Sequence, residues 1–553
     1  MSVSVVAPER RSPWLFGPLP DLLFGCGVLY LLIFSVIAFF GPGFRVSQPV
    51  AVFPLLILLL SAPHYGATIL RVYEHRRDRR SYALFSVWAT LFVVAWFVLG
   101  LADARAGSWL LTLFLTWSPW HYTGQNYGIS VMFLRRGGVP LDPTTKRALY
   151  ASFLLSFLLT AVVLHGEAGP LGYGVIDAPT DAGPAIRFLP LGIPAWATSV
   201  ATPAIAIAWI AATVLAGFRL AAVGSARSLA PVAWLVATHS LWFGIPYVLF
   251  HYDRAPIESL GFDLRTYYFT WIALAHALQY LWITTYYARA SAEWKGFGRH
   301  YGKVLLAGKA LVVAPVILVA PCGVLSHDAG LALLISSAVN VHHFILDGAI
   351  WKLRNMRVAK VLIRSGDDDD EDADARKGLG GLYWGVATAC LATGLFVLWT
   401  DLIGIPRKMR AGDYAGVARS LDRLGWIGFD HESRRAQLAA GFLEDGKVGV
   451  AAAQARRSLA LSESAEGWRL LGDAQLRARA HDAALESYRR GLALDPDSLP
   501  LLIRLAQTHA ATGRTGPARD LLQRASTLAG ADDPHARKTI AALAAKLAEK
   551  PPR

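Results

Sequence analysis

The sequence has few cysteines, and their positions suit neither disulfides nor thiolate metal sites. Only three occur in 553 residues: Cys26, Cys322 and Cys390. All three fall in apolar segments, far apart and without CxxC spacing. We therefore expect neither a disulfide framework nor a cysteine-ligated metal.

Charged residues are also scarce, at 17% of the chain, and their distribution argues against nucleic-acid binding. The 54 basic residues outnumber the 40 acidic ones, but many stand in short loops between apolar runs, as at 76–80 and 135–147. Basic residues in such loops are the topology signal of membrane insertion. No basic stretch is interleaved with aromatic residues in a soluble segment, so we expect no nucleic-acid partner.

Long apolar runs are abundant, but only in the first part of the chain. Hydrophobic residues make up 54% of the sequence, and they concentrate in residues 14–404. The remainder is rich in Ala, Arg, Asp and Glu. This contrast predicts a cytoplasmic amino terminus at 1–18, a transmembrane helical domain at 19–404 and a soluble domain at 405–553. The first apolar run begins near Pro18 without a small-residue cleavage site, which indicates a retained span.

Eleven spans are predicted, each with about the twenty residues needed to cross a hydrocarbon core of ~30 Å. They lie at 19–41, 49–71, 82–103, 107–134, 147–165, 194–217, 229–251, 266–288, 304–326, 329–353 and 381–404. Basic residues concentrate in the loops after even-numbered spans, which places the amino terminus in the cytoplasm. An odd span count puts the carboxyl-terminal domain outside, in the periplasm of a bacterial inner membrane. One span more or fewer would place the carboxyl-terminal domain in the cytoplasm instead.

Two further segments differ from the spans. Seven acidic residues within 365–378 predict a solvated cytoplasmic linker. In the soluble part, RRSLAL at 456–461 recurs as RRGLAL at 489–494, a shift of 33 residues. Around the second copy, the helix–turn–helix positions are Trp468, Leu471, Gly472, Ala484, Tyr488, Gly491 and Pro496. These spacings resemble the tetratricopeptide repeat.

The resemblance covers about 405–530, with a capping helix at 533–549, and it implies an α-solenoid that binds a protein or peptide on a concave face. The whole chain is therefore expected to be all-α, with a polytopic helical bundle followed by a tetratricopeptide solenoid. A rigid spacer without a dedicated ligand is the alternative for the repeats.

Histidines occur inside the apolar runs of five predicted spans. They are His64, His121, His239, His276, His342 and His343. Measured along each helix, all lie roughly 7–21 Å from the cytoplasmic boundary, and so they share one slab of the membrane. Ionisable side chains at such depth are costly and usually mark a pathway, a relay or a metal site.

Polar neighbours accompany these histidines at helical spacing. Gln125 follows His121 by four residues and Gln279 follows His276 by three, so each pair shares a helix face. Around His343, Asn340 precedes by three residues and Asp347 follows by four. Carboxylates and amides in such positions can orient metal-ligating imidazoles.

Imidazole and carboxylate without thiolate suit iron, zinc, manganese or copper(II). We predict a transition-metal site, with iron favoured for O2 chemistry and haem as an alternative. The first choices as ligands are His121, His276, His342 and His343; the next are His64 and His239. Asp347 is either a ligand or an orienting group. Two other interpretations remain: a proton or substrate pathway, and structural polar packing between helices.

The histidine pattern resembles multi-span histidine-motif membrane enzymes, namely desaturases, hydroxylases and the bacterial carotene-cleaving oxygenases. Desaturases carry compact HxxxH and HxxHH boxes, whereas this chain has one HH pair and otherwise scattered histidines. Single histidines on separate helices are closer to the carotene-cleaving type. The resemblance implies an oxygenase or hydroxylase that acts on a lipid-soluble substrate entering from the bilayer.

Two other functions fit the outline of the chain. Polytopic glycosyltransferases that use lipid-linked sugars also join about eleven spans to tetratricopeptide repeats, but they need acidic residues in the first outer loop. Here that loop reads GPGFRVSQ, without a carboxylate, although a later outer loop holds Asp253 and Glu258. A membrane-anchored repeat scaffold without catalysis is the third possibility, although it leaves the histidines unexplained.

Overall fold

The structure is a computed structural model of the chain, and it describes most of its residues. The described ranges are 12–47, 52–73, 82–167, 186–252, 269–291, 294–322, 325, 330–351, 358, 361–363, 380–529 and 534–548. Within them the fold is all-α, as predicted; no strand is described, and an isolated β-bridge joins Gly166 and Ile193. The acidic segment 365–378 lies outside the described residues.

The helices of the apolar part follow the predicted spans. They are α1 Pro18–Gly25, α2 Val28–Ser47, α3 Val52–Tyr73, α4 Leu84–Ala102, α5 Ala104–Arg136, α6 Pro143–Leu164, α7 Ala195–Ala221, α8 Ala226–Leu249, α9 Phe269–Arg289, α10 Phe297–Val319, α11 Ala332–Ile350 and α12 Gly381–Arg410. Four of the longer helices contain a π-helical turn: Ile57–Ser61, Leu84–Ala89, Ser240–Gly244 and Thr400–Gly404. A π turn inserts one extra residue and rotates the side chains that follow it.

Eight of these helices are long and apolar enough to cross a membrane. A ninth span is added if α1 and the first part of α2, which bend by 63° at their junction, count as one. The other two predicted spans correspond to α5 and α9, which are long enough but less apolar because they carry His121, Gln125, His276 and Gln279. A count of eleven therefore requires that the bent α1–α2 pair forms one span and that α5 and α9 cross the membrane as well.

The carboxyl-terminal residues form antiparallel helix pairs. The helices are α13 Tyr414–Trp426, α14 Glu432–Glu444, α15 Val448–Leu461, α16 Ala465–Arg477, α17 His481–Leu494, α18 Leu499–Ala511, α19 Thr515–Leu528 and α20 Pro534–Ala548. Ala484 and Tyr488 are fully buried, Leu471 is buried with them, and Pro496 follows the end of α17. The predicted repeat geometry is confirmed at these positions.

The close approach of α16 and α17 depends on Gly472. A Cβ at that position would lie 2.4 Å from Cε1 of Tyr488. The Tyr488 hydroxyl donates to Oδ1 of Asp473 at 2.7 Å, which fixes the ring against the glycine. The indole of Trp468 packs under the guanidinium of Arg490 at 5.0 Å.

By contacts, the chain divides into two units. The first is Met1–Val175, Ile186–Pro315 and Leu333–Leu395; the second is Ile176–Ala185, Val316–Ala332 and Phe396–Arg553. All residues of the histidine cluster belong to the first unit, and all repeat helices belong to the second.

Candidate metal centre

Four histidines from four helices meet inside the first unit. His64 comes from α3, His121 from α5, His276 from α9 and His343 from α11. The His64 ring centroid lies 4.2 Å from that of His343 and 5.0 Å from that of His276. The His121 ring centroid lies 5.0 Å from that of His276 and 5.2 Å from that of His343. The four rings therefore surround one small volume.

The nitrogens that face this volume have no hydrogen-bond partners among the described residues. They are Nε2 of His64, His121 and His343, and both ring nitrogens of His276. An unpaired buried polar atom costs about 1–3 kcal/mol, so a cluster of them indicates a missing partner. Three of the rings are almost completely buried, and His121 is only slightly exposed. A metal ion is one partner that lone pairs from the four rings could share.

A carboxylate completes the cluster. Oδ2 of Asp347 lies 3.7 Å from Nε2 of His121 and 3.8 Å from Nε2 of His343. Its other oxygen, Oδ1, accepts hydrogen bonds from Tyr280 Oη at 2.5 Å and Thr68 Oγ1 at 3.2 Å. One oxygen is thus held by hydroxyl groups, while the other faces the imidazoles.

Thr68 also fixes the orientation of His343. Its Oγ1 lies 2.9 Å from Nδ1 of His343 and 2.6 Å from the Tyr280 hydroxyl. In the neutral tautomer with a proton on Nδ1, His343 donates to Thr68 and keeps the Nε2 lone pair free. The Trp351 indole donates to the Tyr280 hydroxyl at 3.0 Å, which directs the tyrosine proton toward Asp347. This network leaves Nε2 of His343 and Oδ2 of Asp347 available as ligands.

Local sequence explains how the helices aim these side chains. The π turn Ile57–Ser61 and Pro63 come directly before His64, and a proline inside a helix removes one backbone hydrogen bond. Pro119 lies two residues before His121 in α5. On α11, His343 and Asp347 are four residues apart and therefore lie on the same face.

Two predicted ligands lie apart from the cluster. Nε2 of His342 bonds to Thr90 Oγ1 at 2.9 Å, on the other side of α11. His239 is also occupied: its Nε2 bonds to Ser156 Oγ at 2.8 Å, and its Nδ1 lies 3.2 Å from Asn126 Nδ2. Both are buried histidines with hydrogen-bond partners of their own.

The predicted orienting groups have other partners than the histidines. Nε2 of Gln125 donates to Oε1 of Gln279 at 2.5 Å, and Asn340 Oδ1 accepts from the Tyr65 hydroxyl at 3.0 Å. Thr68 and Tyr280, which were not among the predicted orienting groups, take that role instead. Each stands four residues after a clustered histidine, His64 and His276 respectively, so helical spacing was the signal available.

A cavity of about 320 Å³ opens beside the cluster. His121, Tyr280 and Asp347 form part of its wall, and Gln125 lies next to them. The rest is mainly aromatic, aliphatic and glycine: Trp117, Trp120, Gly124, Gly128, Ile129, Met132, Ile283, Phe344, Gly348, Trp351 and Leu362. An apolar cavity with a few convergent polar groups is the usual form of a small-molecule site.

The donor set fits a transition metal. Candidate ligand atoms lie within 4.8 Å of one another in two overlapping groups, one of His64, His276 and His343, the other of His121, His343 and Asp347. Ligands that share an ion at about 2.1 Å lie roughly 3.0–3.4 Å apart, so a closure of the order of 1 Å would bring them into coordination. The second group is two histidines and one carboxylate, the set that non-haem iron oxygenases use.

One further histidine of the apolar helices has a hydrogen-bond partner outside this centre. His165 is buried and bonds Thr116 Oγ1 through Nε2 at 2.9 Å. His75 and His327 lie outside the described residues, as do the two outer carboxylates Asp253 and Glu258.

Comparison with known proteins bears on the carboxyl-terminal part alone. A family model of the tetratricopeptide repeat matches residues 475–545, which cover the last predicted repeats and most of the predicted capping helix. No curated protein and no solved structure matches the chain. The repeat domain supports an interaction with a protein or peptide, while the likeness of the histidine pattern to membrane oxygenases has no matching protein behind it.

Proposed function

We propose that this chain is a membrane metalloenzyme that oxygenates a lipid-soluble substrate. The observation that carries the proposal is the convergence of unpaired nitrogens from four helices beside the free oxygen of Asp347. The ligands are drawn from His64, His121, His276, His343 and Asp347. His239 and His342, which have their own hydrogen-bond partners, are left out.

Iron is the favoured metal, because two histidines and one carboxylate leave coordination positions open. When bound, such an ion activates O2. In a hydroxylation, one oxygen atom enters a carbon–hydrogen bond and the other leaves as water, with two electrons and two protons from an external reductant. In a double-bond cleavage, each carbon receives one oxygen atom and no reductant is needed.

The residues around the proposed metal position the substrate, orient the Asp347 ligand and limit access of water. The cavity wall formed by Trp117, Trp120 and Phe344 accommodates an apolar molecule next to His121 and Asp347. Tyr280 and Thr68 hold Asp347 so that Oδ2 keeps facing the imidazoles. Burial of the His64, His276 and His343 side chains would limit the access of bulk water to the centre.

Elemental analysis of the purified full-length protein tests the proposal. We expect close to one transition-metal ion per chain, with iron in excess over zinc, manganese and copper. His276→Ala and His343→Ala should each lower that content severalfold, whereas His481→Ala in the repeats should not change it. Metal-free wild-type protein after expression in iron-replete cells would falsify the metalloenzyme. A Soret band would show that the iron is held in haem.

A second function is supported by the repeat match: recruitment of a protein partner to the membrane. We place the chain in a bacterial inner membrane with its repeats in the periplasm, on the basis of basic loops and span parity. A pure scaffold would keep its function after every histidine substitution and lose it on removal of residues 405–553. Loss of function in His343→Ala with intact repeats would exclude a pure scaffold.

A further inference from the structure

The cavity wall carries one polar atom that the metal centre does not use. The side chain of Gln125 lines the cavity one helical turn after His121, which is about 6 Å farther along α5. Its Nε2 donates to Gln279, while its Oε1 has no hydrogen-bond partner among the described residues. The orientation of this amide decides what the cavity offers to a ligand.

A chain of hydrogen bonds fixes that orientation. Nε2 of Gln279 donates to the backbone carbonyl of Gly25 at 2.7 Å, and a carbonyl oxygen can only accept. The amide oxygen of Gln279 must therefore face Gln125, and Gln125 must present its NH2 group in return. The carbonyl oxygen of Gln125 is the atom left over, and it can serve only as an acceptor.

The other acceptors at the wall are Nε2 of His121 and Oδ2 of Asp347, which lie 3.7 Å apart and are both proposed metal ligands. The Tyr280 hydroxyl donates to Asp347 and accepts from Trp351, and the free oxygen of Asp347 faces the imidazoles. Glycines leave space beside Gln125, since a Cβ built on Gly124 or Gly128 meets no atom within 4 Å. With those two atoms bound to the metal, a ligand in this space would meet mainly apolar surface and Oε1 of Gln125 as the remaining acceptor.

We propose that the cavity selects an apolar molecule with a single hydrogen-bond donor, a lipid alcohol, whose hydroxyl donates to Oε1 of Gln125. This rests on the proposed function for the site and defines its substrate class more closely. The hydroxyl anchors the molecule about one helical turn from His121, so the carbon presented to the metal centre lies a few bonds from the alcohol carbon. An alkane or a methyl ether of the same length lacks the donor and loses the anchor.

Photo-crosslinking in lipid nanodiscs tests the selection without requiring turnover. The probes are a twelve-carbon alcohol with a diazirine at mid-chain and its methyl ether, each mapped by mass spectrometry onto peptides of α5 and α11. We expect the alcohol to label these peptides about fivefold more than the ether, as a net hydrogen bond of roughly 1 kcal/mol implies. Gln125→Leu should equalise the two probes, while Gln125→Glu, which keeps an acceptor, should retain the preference.

The labelling results either support or overturn the assignment of Gln125 as the acceptor for a lipid alcohol. Equal labelling by alcohol and ether in the wild-type protein, or a preference that survives in Gln125→Leu, overturns the assignment. If Gln125→Leu does not fold, the comparison of the two probes on wild-type protein still decides. Metal content is measured on the same samples, so a metal-free protein that still prefers the alcohol would refute the metalloenzyme and leave the alcohol site standing.

Discussion

The hydroxyl of Tyr280 donates to Oδ1 of Asp347 across 2.5 Å, and this contact joins α9 to α11 at the centre of the histidine cluster. The same hydroxyl lies 2.6 Å from Thr68 of α3. Three helices that each carry a clustered histidine are thus tied together by one carboxylate and two hydroxyls. Because Oδ1 is held in this way, Oδ2 has a fixed direction toward His121 and His343.

Tyr280→Phe should weaken metal binding without removing a ligand. Loss of the hydroxyl frees Asp347 to rotate, and loss of a partner that orients a ligand typically lowers metal affinity by about 10–100-fold. Competition with a chelator of known affinity measures the change. Tyr488→Phe in the repeats is the matched control, since its hydroxyl also donates to a carboxylate, Oδ1 of Asp473, at 2.7 Å. Equal metal affinity in the wild type and Tyr280→Phe would show that Tyr280 does not orient a metal ligand.

His342→Ala and His239→Ala should leave the metal content unchanged. Both side chains have other partners, so their loss affects packing and hydrogen bonding but not the ligand set. His239→Ala is expected to lower thermal stability by about 1–3 kcal/mol, because Ser156 and Asn126 each lose a buried hydrogen bond to the imidazole. Metal analysis and thermal unfolding of the same preparations check both parts. A fall in metal content with either variant would contradict this ligand assignment.

The sequence predicts the depth of the histidines but not the direction in which each points. His342 and His343 are neighbours on α11, and successive residues on a helix point about 100° apart, so only one of the two faces the cluster. His239 lies at a suitable depth, yet α8 turns it toward Ser156 and Asn126. Which face of a helix meets its neighbours depends on packing between distant segments, and periodicity alone does not determine it in a helix that is apolar all round.

Helix positions and the repeat architecture, in contrast, follow from local pattern. The Gly472, Ala484 and Tyr488 spacing predicts a helix pair because each residue has a steric role at the crossing. The orienting hydroxyls of Thr68 and Tyr280 could also have been predicted, because each stands four residues after a clustered histidine and therefore shares its helix face. The contact of Gln125 with Gln279 joins residues 154 positions apart, and no spacing rule gives it.

Gly348→Leu should close the cavity while preserving the metal. A Cβ at Gly348 meets no atom within 4 Å, so a larger side chain grows into empty space beside Asp347. Three of the 18 tryptophans line the cavity, and a bromoalkane that enters it should quench their fluorescence. We expect that quenching component to disappear in Gly348→Leu, with Gly385→Leu on α12 as control, since its Cβ is also free of contacts. Unchanged quenching would show that the bromoalkane binds elsewhere.

Gly472→Ala should destabilise the repeats. The added methyl would lie 2.4 Å from the fully buried ring of Tyr488, which must shift, and overpacking of this kind costs about 1–3 kcal/mol. Hydrogen exchange of the backbone amides in α16 and α17 of the full-length protein measures the local loss of protection. Gly449→Ala on α15 adds the same methyl where nothing lies within 4 Å, and it should leave exchange unchanged or slower. Equal exchange in the two variants would mean that the crossing tolerates a methyl.

The repeat domain should lose stability in acid through Asp422. Partial burial raises the pKa of this carboxyl, but hydrogen bonds and charge from Arg435 and Arg457 outweigh that effect and hold the pKa below its ordinary value. Arg435 is itself fully buried and bonds Oδ1 of Asp422 at 2.8 Å. A carboxyl with a lowered pKa stabilises the folded state above its unfolded pKa of about 3.9, and the contribution fades as pH falls through the folded value.

Asp422→Asn should therefore flatten the dependence of repeat stability on pH below about 4, where the wild type loses protection most steeply. Hydrogen exchange of α14 and α15 in the full-length protein, followed between pH 6 and pH 2.5 with correction for intrinsic exchange rates, measures the slope. The control is Asp482→Asn, which removes an exposed ion pair with Arg514 at 3.3 Å. This variant should keep the wild-type slope, because exposed ion pairs contribute little to stability. An unchanged slope in Asp422→Asn would mean that the acid sensitivity does not come from Asp422.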